Sequence, residues 1–255
     1  MATPTFAQYA LSYDLVYQDK PYAAEVDYLE SLFRQFGKRP IRSVCDIAAG
    51  TGSHLVELAR RGYSCTGSDL SPDMIAVAKQ KAAKLDLKID LRVAPMQEIG
   101  GRGSFDAIVC MFSAIDYLKD RESLAATLAG VRASLSSGGL FVFDFWNAIE
   151  ASRNFSPLTL RECHKGEDWL IRIGRSTHDI ARQAIDVEFE FLLFHEKTLV
   201  ARFTESHPMR YFHPREMEEH LAYAGLRLLH TCPFMQPQQK LRPFEWNVGM
   251  VATPA

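Results

Sequence analysis

Ser43-Val44-Cys45-Asp46-Ile47-Ala48-Ala49-Gly50-Thr51-Gly52-Ser53-His54 is the stretch that decides the fold of this chain. An apolar, β-prone run starting at Ile41 breaks into a turn of small residues, and Leu55-Val56-Glu57-Leu58-Ala59 continues as a helix. A strand that passes through a glycine-rich turn into a helix brings backbone N–H groups close to a flat, polar ligand. The next strand-like run, Cys65-Thr66-Gly67, leads to Asp69, seventeen residues after Gly52. An acidic residue at the end of a second strand suits a ribose diol, because one carboxylate accepts from both hydroxyls. Together these features predict a cofactor that contains a nucleoside.

On either side, helices and strands alternate. Val26, Leu29, Leu32 and Phe33 recur at helical spacing, so residues 23–36 form an amphipathic helix that Gly37 and Pro40 end. Strands are expected at 41–47, 64–68, 89–93, 105–111 and 140–145. Ser71-Pro72-Asp73 starts a helix that runs towards Leu85, with Ser as N-cap and Pro in the first turn. A further helix spans 121–135. This alternation gives an α/β fold with a doubly wound, mostly parallel sheet.

After Trp146 the texture changes. Ile185-Asp186-Val187-Glu188-Phe189-Glu190-Phe191 alternates with period two, which marks an antiparallel strand with one wet face. Residues 169–175 and 199–211 also read as strands. A last helix at 214–224, capped by Gly225, precedes a closing strand pair near 226–230 and 246–251. The expected organisation is thus a lid helix and cofactor-binding core over 1–150, a small antiparallel lobe inserted after the fifth strand over 151–211, and the closing elements of a seven-stranded sheet over 212–255.

Composition narrows the partners. The 255 residues are 47% hydrophobic with a net charge of −2. With a pI near 6.5, nucleic acid is disfavoured, since it usually needs a basic face. No apolar run is long enough to span a membrane, and the leading residues lack a signal-peptide pattern, so a cytoplasmic enzyme is expected. Cys45, Cys65, Cys110, Cys163 and Cys232 are scattered, as for buried free thiols in a reducing compartment. The His207/His213 and His213/His220 pairs lack metal-ligand spacing, so no metal is expected.

The ordered motifs resemble those of the class I S-adenosylmethionine-dependent methyltransferases. Asp46, Ala48, Gly50 and Gly52 are similar to the family's first motif, with Ala in place of its first glycine. Gly67-Ser68-Asp69-Leu70-Ser71-Pro72-Asp73-Met74 matches the second. Phe105 to Cys110 looks like the fourth-strand motif, and Leu135 to Phe145 like the entry to the fifth strand. Within that family, Tyr13-Asp14-Leu15-Val16-Tyr17, Lys20 and Tyr22-Ala23-Ala24-Glu25 resemble the start of nucleotide-sugar N-methyltransferases, including amino-sugar N,N-dimethyltransferases. Cys110-Met111-Phe112-Ser113-Ala114-Ile115 and Glu205-Ser206-His207 are similar to theirs as well. Two departures stand out. Tyr117 occupies the place of a family histidine, and Ala94-Pro95-Met96-Gln97 replaces an aspartate after the third strand.

The resemblance implies S-adenosyl-L-methionine as cofactor. Its expected binding residues are Tyr13, Tyr22, Asp46, Ala48, Gly50, Gly52, His54, Asp69, Leu70, Met74, Pro95, Met96, Gln97, Met111 and Phe112, with Tyr17 and Tyr117 as the catalytic residues at the acceptor. Tyr13, Tyr17 and Tyr22 are spaced as a lid whose aromatic faces favour a sulfonium cation. Asp116, Tyr117, His54 and His207 are the base candidates. Arg161, Arg172 and Arg175 either grip a phosphorylated acceptor or face solvent. The Asp/Asn-Pro-Pro-Tyr motif of nucleic-acid amino methyltransferases is absent after the fourth strand, which points to a small-molecule acceptor, with a nucleotide-linked amino sugar in first place. O- or C-methylation of another metabolite or glycan precursor, and a non-catalytic cofactor-binding protein, stay open, as does a homodimer. An NAD-dependent dehydrogenase is disfavoured by the closing helix and strand pair.

Overall fold

In the computed structural model, which describes residues 9–101 and 103–255, helices α1 (Tyr9–Val16) and α2 (Tyr22–Phe36) precede the alternating core. That core runs β1 (Ser43–Asp46), α3 (Ser53–Arg60), β2 (Ser64–Asp69), α4 (Pro72–Lys84), β3 (Ile89–Val93), β4 (Phe105–Cys110), α5 (Arg121–Ser134) and β5 (Leu135–Trp146). Single 3-10 turns, Met96–Ile99 and Ala114–Tyr117, follow β3 and β4. Then come α6 (Ala148–Asn154), β6 (Leu158–Lys165), β7 (Asp168–Asp179), β8 (Ala184–His195), β9 (Thr198–Arg210), α7 (Pro214–Tyr223), β10 (Leu226–Pro233) and β11 (Asn247–Pro254). The segment read for a signal peptide lies largely outside the described residues.

Seven strands form one sheet in the order β10-β11-β5-β4-β1-β2-β3. Strands β1 to β5 pair in parallel, and β11 runs antiparallel to both β5 and β10. The register sets Asp46 beside Gly67 and Val109, so β1, β2 and β4 finish together at one edge. Ligands of open parallel sheets sit beyond such carboxyl ends.

The centre of the sheet is buried on both faces, which explains its nearly continuous apolar strands. On β5, Phe141, Phe143 and Phe145 pack with Leu124, Leu128 and Val131 of α5 and with Met217 and Leu221 of α7. Leu140 and Val142 alternate to the other face, where Leu29 and Leu32 of α2, Leu55 and Leu58 of α3 and Ile75 of α4 cover them. All five cysteines are buried and free. No described helix is long and apolar enough to cross a membrane.

Strands β6 to β9 make a separate four-stranded antiparallel sheet. Along β8, Ile185, Val187 and Phe191 are buried and Glu188 is exposed, while Glu190 on the expected wet face is buried, held by Arg175 and Arg202. The inner face of this lobe meets α1. Val16 and Ala10 pack with Met74 of α4 and with Leu170 and Phe191 of the lobe, so α1 is wedged between the two sheets.

Three elements differ from the sequence reading. Strand β6 was not anticipated: Cys163 is its single buried residue, and an edge strand this exposed carries no alternation signal. Helix α6 was missed because it spans only two turns. Strand β5 begins at Leu135, not at residue 140, because Leu135 pairs with Phe105 and an irregularity absorbs Gly138 and Gly139. A Cβ on Gly139 would stand 3.0 Å from the carbonyl oxygen of Phe105 and 3.1 Å from that of Asp106, so glycine permits the close approach.

Phe143→Ala removes a ring that is 1% exposed and stacked on Phe141. The variant should lose about 3–5 kcal/mol of stability, read as a lower urea midpoint at unchanged slope. A loss below about 1 kcal/mol would show that this site relaxes around the cavity.

Candidate active site

At the carboxyl edge of β1, β2 and β4 lies a cavity of about 650 Å³, inside the roughly 300–1,000 Å³ range of small-molecule sites. The loop after β1 forms its floor. Gly50 has a φ of 52°, a left-handed conformation that favours glycine, and a Cβ there would meet nothing within 4 Å. Ala48 needs no such conformation, which is why alanine serves where the family has glycine. Its N–H donates to Asp46 Oδ1 at 3.0 Å.

Asp69 ends β2 on the cavity wall. Its Oδ2 accepts the Gly50 N–H at 2.8 Å and its Oδ1 the Ser71 N–H at 2.9 Å. Burial pushes this carboxyl up, while the two backbone donors pull it back. A carboxylate has about four lone-pair sites, so a vicinal diol can still be accepted. Leu70, Met74, Pro95, Met96, Gln97, Met111 and Phe112 line the same space, as do Tyr13, Tyr17, Tyr22, Ala48, Gly50, His54 and Tyr117.

Two expected cofactor residues stand behind the wall. Asp46 is fully buried, and burial raises its carboxyl to about 6, with His54 and the Ala48 N–H opposing. Gly52 has a φ of 77°, and a Cβ there would lie 2.9 Å from Ala78 Cβ. Its glycine therefore serves the close approach of α3 to α4. Both residues shape the loop from outside the cavity.

Helix α1 closes one side. Thr51 Oγ1 and Lys81 Nζ both donate to Asp14 Oδ1, at 2.8 and 2.7 Å, which ties α1 to the loop and to α4. The Tyr13 and Tyr17 rings lie 4.7 Å apart, and Tyr17 meets Phe112 edge-on at 5.2 Å. Tyr22 stands edge-on to His54 at 5.0 Å. His54 Nε2 is held by Glu25 Oε2 at 2.5 Å, and Lys20 grips the other oxygen of Glu25. Burial would raise Glu25, but His54 and Lys20 outweigh it and hold the carboxyl below its ordinary value.

The far wall comes from the lobe. Tyr117, in the 3-10 turn after β4, is 2.7 Å from His207 Nδ1 on β9. Burial lowers His207 to about 4, helped by Arg172, and burial raises the Tyr117 phenol well above its ordinary value. Asp116, the neighbouring base candidate, is fully buried, accepts the Trp146 N–H at 2.9 Å and lies off the cavity wall.

Several lining residues were not foreseen, among them Trp146, Phe189, Met209, Trp246 and Asn247. They arrive from β5, the lobe and the start of β11 with the residue before it, so no local pattern could have shown them. Arg175, read as either an acceptor contact or a solvent-facing residue, lies on the opposite side of β7 and pairs with Glu190 at 3.1 Å. Among the described residues, no group of three or more His, Cys, Asp and Glu side chains could hold a metal ion.

The Methyltransferase domain family matches residues 44–139. A dTDP-3-amino-3,4,6-trideoxy-alpha-D-glucopyranose N,N-dimethyltransferase of Streptomyces venezuelae is 30% identical over 224 residues, which is 85% of this chain and 89% of that protein. A protein of Geobacillus sp. (strain WCH70) named as a methyltransferase is 30% identical over 151 residues, 59% of this chain and 61% of its own length. The crystal structure of Streptomyces venezuelae DesVI has a TM-score of 0.82 at 26% identity, covering 97% of this chain and 98% of that one.

Asp69→Ala removes the acceptor that faces the cavity together with the anchor of Gly50. It should weaken S-adenosylhomocysteine by about 2 kcal/mol, roughly thirtyfold, in calorimetry. Unchanged affinity would remove the ribose assignment. Hydrogen exchange across residues 13–22 should slow when that ligand binds, because three tyrosines of this segment stand on the wall. Equal exchange in both states would make the segment ordinary structure.

Proposed function

Because the chain belongs to the class I S-adenosylmethionine-dependent methyltransferases, we propose that it N-methylates an amino sugar carried on a nucleotide. The cofactor, S-adenosylmethionine, supplies an electrophilic methyl group when bound. The residues fit it: Asp69 suits the ribose, the apolar Leu70, Pro95 and Met96 suit a flat base, and the Tyr13, Tyr17 and Tyr22 rings suit a cation.

The observation that favours nitrogen is the state of the groups on the acceptor side. A hydroxyl acceptor must give up its proton to a base, whereas an amine needs only to be neutral and aligned about 3 Å from the methyl carbon. Asp116 lies off the wall, and His54 Nε2 is committed to Glu25. His207, held near 4, is a weak base. Burial thus opposes moving a proton from Tyr117 to His207, and the pair stays neutral. With His207 as its Nε2–H tautomer, the Tyr117 hydroxyl donates to Nδ1 and keeps an oxygen lone pair as an acceptor. That lone pair can accept an amine N–H and aim the nitrogen's own lone pair.

The relatives support the sugar. The Streptomyces venezuelae protein, and one from Streptomyces fradiae that is 29% identical over 218 residues, are both named as dTDP-amino-sugar N,N-dimethyltransferases.

Incubation with S-adenosylmethionine and a dTDP-3-amino sugar should give mono- and dimethylated products by mass spectrometry, while the 3-hydroxy counterpart stays unmodified. Methylation of the hydroxyl sugar at a comparable rate would sink the reading. Tyr117→Phe should lower kcat about tenfold and leave S-adenosylhomocysteine affinity within about twofold. The acidic limb of the kcat/KM profile should track the acceptor ammonium, since His207 stays neutral down to about pH 4. The rate therefore rises as pH climbs through the amine's pKa, and Tyr117→Phe should not move that limb.

A further inference from the structure

The inner face of the lobe carries a pair of like charges that the fold itself leaves together. Arg161 on β6 and Arg172 on β7 are register partners in the antiparallel ladder, so both project from one face. Like charges directly opposite each other destabilise a sheet. Each guanidinium lies 6.0 Å from the Tyr17 ring. Arg172 also sits over Phe189 at 4.5 Å and donates from Nη1 to the Tyr17 hydroxyl at 3.2 Å. Its Nε is buried and has no hydrogen-bond partner among the described residues. Arg161 meets Asp19 at 3.9 Å, and that carboxylate is 80% exposed.

The outer face is treated differently. There Arg175 and Arg202 both close on Glu190, and Arg182 closes on Asp179 and Asp186. The lobe neutralises its outer arginines with carboxylates and leaves the inner pair at a second cavity of about 480 Å³. That cavity shares Tyr17, Phe112, Phe189 and Asn247 with the first, so the two adjoin. Its other cation, Lys20, is cancelled by Glu25, which His54 also holds. Asp19 stands on the same wall and offsets Arg161 in part, so the positive charge left over is centred on Arg172, with Arg161 opposite it.

Resting on the acceptor reading above, we infer that Arg161 and Arg172 form the site for the diphosphate of the acceptor's nucleoside carrier. Two guanidinium forks match two phosphoryl groups, and the anion relieves the repulsion across the ladder. Tyr17 lies between the pair and the methyl-transfer cavity. It couples the depth at which the diphosphate seats to the place where the sugar amine arrives.

The test is binding, not turnover. Thymidine diphosphate and inorganic pyrophosphate are titrated by calorimetry into the full chain saturated with S-adenosylhomocysteine. Thymidine diphosphate should bind, and Arg161→Gln and Arg172→Gln should each weaken it about tenfold and flatten its salt dependence. Arg175→Gln, on the same strand but paired with Glu190, should bind as the wild type does. S-adenosylhomocysteine affinity within about twofold in every variant certifies the fold. Wild-type affinity for thymidine diphosphate in both inner-face variants overturns the assignment, and so does an equal loss in Arg175→Gln. Pyrophosphate binding as tightly as thymidine diphosphate overturns the nucleoside carrier in favour of a bare phosphate site. A chain that binds thymidine diphosphate through these arginines but fails to methylate amino sugars would keep this site and lose only the acceptor reading.

Discussion

One buried carboxylate, Asp144, holds the backbone turn that makes the cavity. Directly after β4 the chain places Phe112 and Ser113 at φ of 64° and 54°, a conformation that side-chain-bearing residues avoid. Two consecutive residues of this kind store strain that their surroundings must hold. Asp144 Oδ2 accepts the Ser113 N–H at 2.9 Å and the Ser113 hydroxyl and Asn247 amide at 3.0 Å each. Burial raises this carboxyl, and its donors offset part of that. Three elements meet at this point: the turn after β4, β5 and β11. The left-handed step swings Phe112 out to the cavity, where its ring meets Tyr17 and the Lys20 ammonium. It also starts the 3-10 turn that delivers Tyr117 beneath the lobe.

How much of this was legible follows from what was local. Gly50 and Asp69 belong to one strand–turn–helix unit and its neighbour, so spacing pointed to them, whereas Leu70 and Met74 came with the family resemblance. Asp46 and Gly52 share the same motif yet stand behind the wall, because a motif records what a loop needs to fold as well as what it binds. Ala48 shows the converse: without a positive φ at that position, the missing glycine changes nothing in the turn. The strain at Phe112 and Ser113 had no signature, since its support comes from residues 144 and 247, far along the chain. Trp146, Phe189 and Met209 were invisible for the same reason.

The lobe is built with two electrostatic faces from one period-two pattern. On β8 the outward Glu190 collects Arg175 and Arg202 from its two neighbouring strands. The inward positions carry Val187, Phe189 and Phe191, facing α1 and the turn after β4. A one-residue slip in register would exchange these faces and bring Glu190 to the cavity, so the outer ion pairs also guard the inner wall. Arg161 and Arg172 sit on the inner face at the end nearer α1, whereas His207 lies on β9 beside Tyr117.

Helix α1 is what makes these walls a single chamber. Its apolar side fits between α4 and the lobe, and Asp14 locks it to Thr51 of the glycine loop and to Lys81. Tyr17 then stands at the junction, touching Tyr13 and Phe112 on the cofactor side and Arg172 on the lobe side. A chain that placed its cofactor loop and its acceptor lobe on independent supports could shift one without the other. Here α1 packs on the lobe and is hydrogen-bonded to the glycine loop, so the two walls share one support. That linkage gives the lobe a mechanical reason to be inserted after β5, since the fifth strand leaves the core beside the same edge and returns the chain over α1.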